Sequence, residues 1–146
     1  MAYEQLKLEN QLCFPVYAAS RLITREYQPH LDRLGITYPQ YLVFMLLWEQ
    51  DERSVNEITQ KLILNTNTVT PLLKRMEKQG FITRTKSTED SRKVIIKLTT
   101  KGYELQEQAA VIPESLVKKI AGDTMDIDTL KRLKNDLDQL IKLLNK

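Results

Sequence analysis

The stretch "LNTNTVTPLLKRMEKQG", residues 64–80, decides the fold. After Leu64 come Asn and Thr residues able to cap a helix, with Pro71 near the first turn. Leu72, Leu73 and Met76 form an inner face, and Gly80 supplies the C-terminal stop. Just upstream, "SVNE" at Ser54 to Glu57 is a capping box that opens a shorter helix, in which Val55, Ile58 and Leu62 face inward. A short helix, a tight turn and a capped second helix make a helix-turn-helix. Downstream, "FITRTKSTEDSRKVIIKLT" holds two β-rich runs around the polar loop Ser87 to Arg92, and Val94, Ile96 and Leu98 alternate with Ile95 and Lys97. A hairpin placed there is a wing. The competing reading is an α+β domain whose hairpin is basic by coincidence.

On either side of this module the pattern is helical. "ITYPQYLVFMLLWEQ", residues 36–50, has Thr37 as a cap, Pro39 in the first turn and a nearly continuous apolar run, so it predicts a central, buried helix. Residues 7–34 read as one long helix, with Leu12, Val16, Ala19, Ile23 and Tyr27 three or four apart and Gly35 as its end. Pro15 inside it removes a donor and kinks or delays it. Thr99 or Thr100 caps a further helix that bends or breaks near Pro113, and Asp126 or Asp128 starts the last one. There Leu130, Leu133, Leu137, Leu140 and Leu144 form a seam stepping by three and four. The seam packs either on the chain's own core or on a partner helix. The expectation is a mainly α chain, residues 1–146, with a small β-wing. Residues 37–99 form the winged helix-turn-helix, and the terminal helices, about 1–36 and 100–146, form a homodimer.

The charge distribution suggests a partner. The net charge is only +3, but Thr70 to Lys101 holds nine basic residues against three acidic ones, which is +6 and leaves −3 elsewhere. A basic segment in a mildly acidic chain suits phosphates, as in a nucleic-acid backbone. The 42% hydrophobic content of 146 residues suffices for one core. No long apolar run or leader appears, so the expectation is a cytoplasmic protein with no membrane partner. The single Cys13 and single His30 offer no ligand cluster, so neither metal nor cofactor is expected. One cysteine makes no internal disulfide, which favours a reducing compartment.

Cys13 lies in "LENQLCFPVY", residues 8–17, among apolar neighbours. Free cysteines of this kind are commonly buried and inert, and reactivity needs a stabilised thiolate. Tyr17 is one helical turn away. Tyr27 is fourteen residues on, about 21 Å of rise in a continuous helix, too far to reach Cys13 of its own chain.

Element order, the block "TVTPLLKRMEKQGFITR" and the wing "EDSRKVIIKLTTKG" resemble the MarR family of winged-helix repressors over essentially the whole chain. "KLENQLCFPVYAASR" with "LDRLGITYPQYLV" resembles its OhrR branch, one-cysteine sensors of organic hydroperoxides. The resemblance makes residues 66–79 the reader of the major groove of operator DNA. Thr66, Thr68, Thr70 and Pro71 stand at its entry, Lys74, Arg75, Arg84 and Lys93 belong to the DNA-binding surface, and Arg92 enters the minor groove steadied by Asp90. These assignments suit the chemistry of base edges and of a narrow, negative minor groove. Many relatives carry Asp-Ser-Gly where this chain has Asn65-Thr66-Asn67.

The same resemblance identifies Cys13 as the redox sensor and Tyr17, Tyr27 and Tyr38 as its partners, with Tyr27 acting across the dimer. The reduced dimer then represses a detoxifying gene. Oxidation by organic hydroperoxide gives a sulfenic acid that a low-molecular-weight thiol traps, that cyclises with a backbone nitrogen or that oxidises irreversibly, and the oxidised protein releases the DNA. No catalytic residue is implied. Two other readings share parts of the pattern: a repressor released by a non-covalent aromatic ligand, and a one-cysteine thiol peroxidase.

Overall fold

A computed structural model describes residues 3–146. The chain forms two compact units, Met1–Ala109 and Ala110–Lys146.

The first unit opens with two single-turn 3-10 segments, Glu4–Leu6 and Leu8–Asn10, and α1 begins only at Cys13, running to Leu34. The predicted start at residue 7 is therefore six residues early. Pro15 falls in the first turn, where its missing N–H costs nothing, so it delays the helix without kinking it. The helix-interior proline is Pro29, which withholds a donor from the Arg25 carbonyl. Gly35 ends α1 in the left-handed conformation at φ 72°.

Helix α2, Tyr38–Glu49, opens with a complete capping box: the Thr37 hydroxyl accepts from the Gln40 N–H, and Gln40 Oε1 accepts from the Thr37 N–H. Tyr41, Val43, Phe44 and Leu47 are buried, as expected of a central helix. A strand missed in the sequence, β1 at Arg53–Ser54, follows; Ser54 both pairs in the sheet and caps α3, Val55–Leu62. Arg53 is buried because its Nε donates to the Leu46 and Gln50 carbonyls at the end of α2. Ile58 is the fully buried residue of α3. The turn to α4, Thr66–Lys78, puts Ile63 in the left-handed region at φ 55°, a costly position for a β-branched residue.

Val69, Leu72, Leu73 and Met76 of α4 are buried. Strands β2, Ile82–Lys86, and β3, Val94–Leu98, form the wing and pair antiparallel from Ile82↔Leu98 to Lys86↔Val94. The three-stranded order is β1-β3-β2. Ile96 and Leu98 face the core and Lys97 is exposed, the alternation expected of a half-covered hairpin. Thr99 accepts from the Gly102 N–H and so caps α5, Thr100–Ala109. A Cβ at Gly102 would lie 2.3 Å from the Phe81 carbonyl oxygen, so only glycine allows α5 to approach the wing this closely.

The second unit holds α6, Ile112–Ile120, with Pro113 in its first turn, and α7, Ile127–Leu144, capped by Asp126. The break near Pro113 falls where it was expected. No residue of α7 is buried, and Leu133 and Leu144 are exposed.

Candidate nucleic-acid interface and thiol site

The face expected to read DNA is organised around the start of α4. Asn65 Oδ1 accepts from the Thr68 N–H at 3.0 Å and from the Thr68 hydroxyl at 3.2 Å, so asparagine performs the capping that the Asp-Ser-Gly pattern would give. Thr66, Thr68 and Pro71 are exposed, as are Lys74 and Arg75 one turn on, whereas Thr70 is half-buried. Pro71 sits in the second turn, not the first, and leaves the Asn67 carbonyl without its usual donor.

Arg84 is not a free cation. Its Nε and backbone N–H both donate to Glu77 of α4. The outermost guanidinium is that of Arg92, on the loop between β2 and β3, with its side chain 89% exposed. Asp90 holds it: Oδ1 accepts from the Arg92 backbone N–H and Nε, and Oδ2 from Nη2 at 3.4 Å. These bonds, the guanidinium's first, keep the Asp90 carboxyl below the ordinary carboxylate range. Lys93 is exposed, and its N–H donates to the Asp90 carbonyl, closing the loop.

Cys13, the only cysteine, is exposed on the first residue of α1. Tyr17, one turn on, is exposed, with the Arg21 guanidinium 4.4 Å over its ring. Leu12, Phe14 and Val16 are exposed around them.

Tyr27 and Tyr38 lie elsewhere. Because α1 is continuous from Cys13 to Leu34, Tyr27 is about 21 Å along the helix from Cys13. The fold brings Tyr27 and Tyr38 together, with ring centroids 5.3 Å apart, but does not bring Tyr27 to the thiol of the same chain.

The pair has a third member that the sequence reading missed. The Tyr41 ring lies 5.7 Å from Tyr27 and 6.3 Å from Tyr38. The Tyr38–Tyr41 spacing of three on a helix was the available signal. Burial raises the pKa of all three phenols; Tyr41 is pushed to about 12 by burial first, then by Tyr27 and Tyr38. Protonated phenols are hydrogen-bond donors, the chemistry a thiolate or a ligand anion would need. Among the described residues no His, Cys, Asp and Glu cluster suits a metal ion, and no helix is long and apolar enough to cross a membrane.

Comparison with known proteins places this geometry. Residues 25–109 match the model of the transcriptional regulator SarA/Rot family. The chain is 47% identical over 145 residues to the organic hydroperoxide resistance transcriptional regulator of Bacillus subtilis (strain 168), covering 98% of this chain and 95% of that one. Among solved structures, reduced AbfR bound to DNA is 37% identical with a TM-score of 0.80, covering both chains completely. Disulfide-formed AbfR is 40% identical with a TM-score of 0.68, over 98% of this chain and 96% of that one. The relatives are transcription regulators, not enzymes. Helix-turn-helix, basic wing, single exposed cysteine and these likenesses agree, and the chain belongs to the MarR family of winged-helix transcription regulators, in the group that includes the organic hydroperoxide resistance regulators.

Proposed function

We propose that the protein is a cytoplasmic repressor that holds operator DNA as a reduced homodimer and lets go when Cys13 is oxidised by an organic hydroperoxide. The observation that carries this reading is the sole cysteine, exposed on the first residue of a helix in a chain 47% identical to an organic hydroperoxide resistance regulator.

The chemistry runs in two steps. The Cys13 thiolate attacks the distal peroxide oxygen, so an S–O bond forms and the O–O bond breaks. The alkoxide leaves and takes a proton, giving an alcohol and a cysteine sulfenic acid. With no second cysteine in the chain, a low-molecular-weight thiol then condenses with the sulfenic acid, releasing water and leaving a mixed disulfide. Phe14 and Val16, exposed beside the thiol, favour apolar peroxides.

The dimer completes the site. Tyr27 is too far along α1 to touch its own Cys13, so Tyr27 and Tyr38 donate to the thiolate of the partner chain. Phe14 and Ile23 on α1, and separately Leu133 and Leu144 on α7, are exposed apolar residues that a second copy covers. Two recognition helices related by a twofold axis then meet an inverted repeat, with half-sites about one helical turn apart. Thr66, Thr68, Thr70 and Pro71 lie at the base edges, Lys74, Arg75, Arg84 and Lys93 at the phosphates, and Arg92 in the minor groove.

The test is an operator shift assay with and without cumene hydroperoxide, repeated with a small thiol present. Release of the wild type and retention of Cys13→Ser is the expected result. Release of both would remove Cys13 from the mechanism.

A further inference from the structure

We propose that the hydrogen bond between Gln40 and Gln79 carries the state of the tyrosine cluster to the recognition helix, which makes Gln79 a positioning residue for the response to oxidation. The inference rests on the repressor reading above. It starts from the first turn of α2. Tyr38 and Tyr41 on that turn pack against Tyr27 of α1, so anything that displaces those rings acts on the turn itself.

Gln40 sits between them in the sequence and is only 3% exposed. Both ends of its amide are engaged. Oε1 accepts from the Thr37 N–H at 3.1 Å, fixing the side chain to the start of the helix, and Nε2 donates to Gln79 Oε1 at 2.9 Å. Gln79 is the C-cap of α4: its N–H donates to the Arg75 carbonyl, and its own carbonyl accepts from Lys101 Nζ of α5 at 2.7 Å.

Two physical points make this bond a link. A buried amide has no water to replace a departing partner, so Gln79 follows Gln40 or a donor is left unsatisfied. The neighbouring contact of Phe44 with Phe81, edge-on with centroids 5.1 Å apart, is apolar, and such contacts lack direction and slide. The hydrogen bond is directional and resists sliding. A shift of the first turn of α2 therefore reaches the C-terminus of α4 with its direction preserved.

Gln79 is exposed as a residue, so it can be changed without a core defect. Gln79→Met keeps the length and removes the acceptor, whereas Gln79→Glu keeps an acceptor for Gln40 Nε2. The measurement is the ratio of operator affinities before and after cumene hydroperoxide, on protein whose Cys13 is shown by intact mass to be fully oxidised. The wild-type ratio should be about tenfold or more, that of Gln79→Met at least about fivefold smaller, and that of Gln79→Glu within about twofold of wild type. The rate of Cys13 oxidation should be the same in all three. A wild-type ratio in Gln79→Met with Cys13 fully oxidised would overturn the link and leave the repressor reading standing. A fully oxidised wild type that stays on the operator would overturn that reading and the link with it.

Discussion

Glu77 of the recognition helix accepts two hydrogen bonds from Arg84 of the wing, one at each carboxylate oxygen and both at 3.2 Å. The pair ties β2 to α4, so the wing and the reading helix keep one relative orientation. The groups are part-exposed, and Glu77→Gln should lower stability by only about 0.5–1 kcal/mol. Arg84→Met should weaken operator binding less than loss of the wing-tip arginine does. Thermal melting with operator titration of both variants checks this, and a loss at Arg84 larger than that at Arg92 would show that Arg84 contributes more than the phosphate contact proposed for it.

Arg92 carries the opposite expectation. Its guanidinium bonds to Asp90 and stands in solvent, so Arg92→Ala should leave the melting temperature unchanged. Operator affinity should fall by more than about tenfold, and the slope of affinity against salt should decrease by about one counterion. The carboxyl of Asp90 is held low by Arg92, so the clasp is complete above the ordinary carboxylate range and is lost only as pH falls through the lowered value. Binding by Arg92→Ala equal to that of wild type would remove the wing from the DNA.

The turn between α3 and α4 stores strain at Ile63. A left-handed conformation costs an L-residue roughly 1–2 kcal/mol, and asparagine tolerates it better. Ile63→Asn should raise stability by about 0.5–1 kcal/mol. A lowered melting temperature would mean that the Ile63 side chain supports the turn.

Local chemistry was readable along the chain; distant partnerships were not. Thr37, Ser54 and Asp126 cap the helices they precede, and Gly35 ends α1, because a cap depends on a handful of neighbouring residues. The start of α1 was misplaced because apolar spacing continues through Leu12 although regular helix does not. Strand β1 is two residues long and exists only because Ile95 and Ile96 lie beside it. Nothing local marks Glu77 as the partner of Arg84, and Gln40 and Gln79 meet across 39 positions. The tyrosines Tyr27 and Tyr38 entered through family likeness, and Tyr41 joined them only when α1 and α2 were packed.

Tyr41 gives the protein an alkaline limit. Its pKa is raised from 10.0 to about 12, so the folded state holds the phenolic proton more tightly than the unfolded chain does. The associated stability is whole below about 10 and is lost as pH rises towards about 12. Tyr41→Phe should flatten the fall of stability over that window and remove the latest step in tyrosinate absorbance. An unchanged slope would place the alkaline transition elsewhere.

Mixed dimers separate a shared thiol site from two private ones. A dimer with Cys13→Ser on one chain and Tyr27→Phe on the other keeps one thiol, and that thiol faces the unchanged tyrosine of the chain that carries Cys13→Ser. It should react with peroxide at the wild-type rate, whereas in a dimer with both changes on one chain the remaining thiol faces the changed tyrosine and should react more slowly. Equal rates in the two arrangements would show that Tyr27 does not act across the dimer.

The Asn65 cap also constrains which bases the recognition helix can favour. A threonine hydroxyl has one proton, and that of Thr68 is committed to Asn65 Oδ1. What remains are lone pairs, so a Thr68 that reaches a base edge as proposed meets it as an acceptor. In the major groove the amino groups of adenine and cytosine donate, while the guanine and thymine oxygens accept. An operator suited to this chain therefore presents adenine or cytosine opposite Thr68.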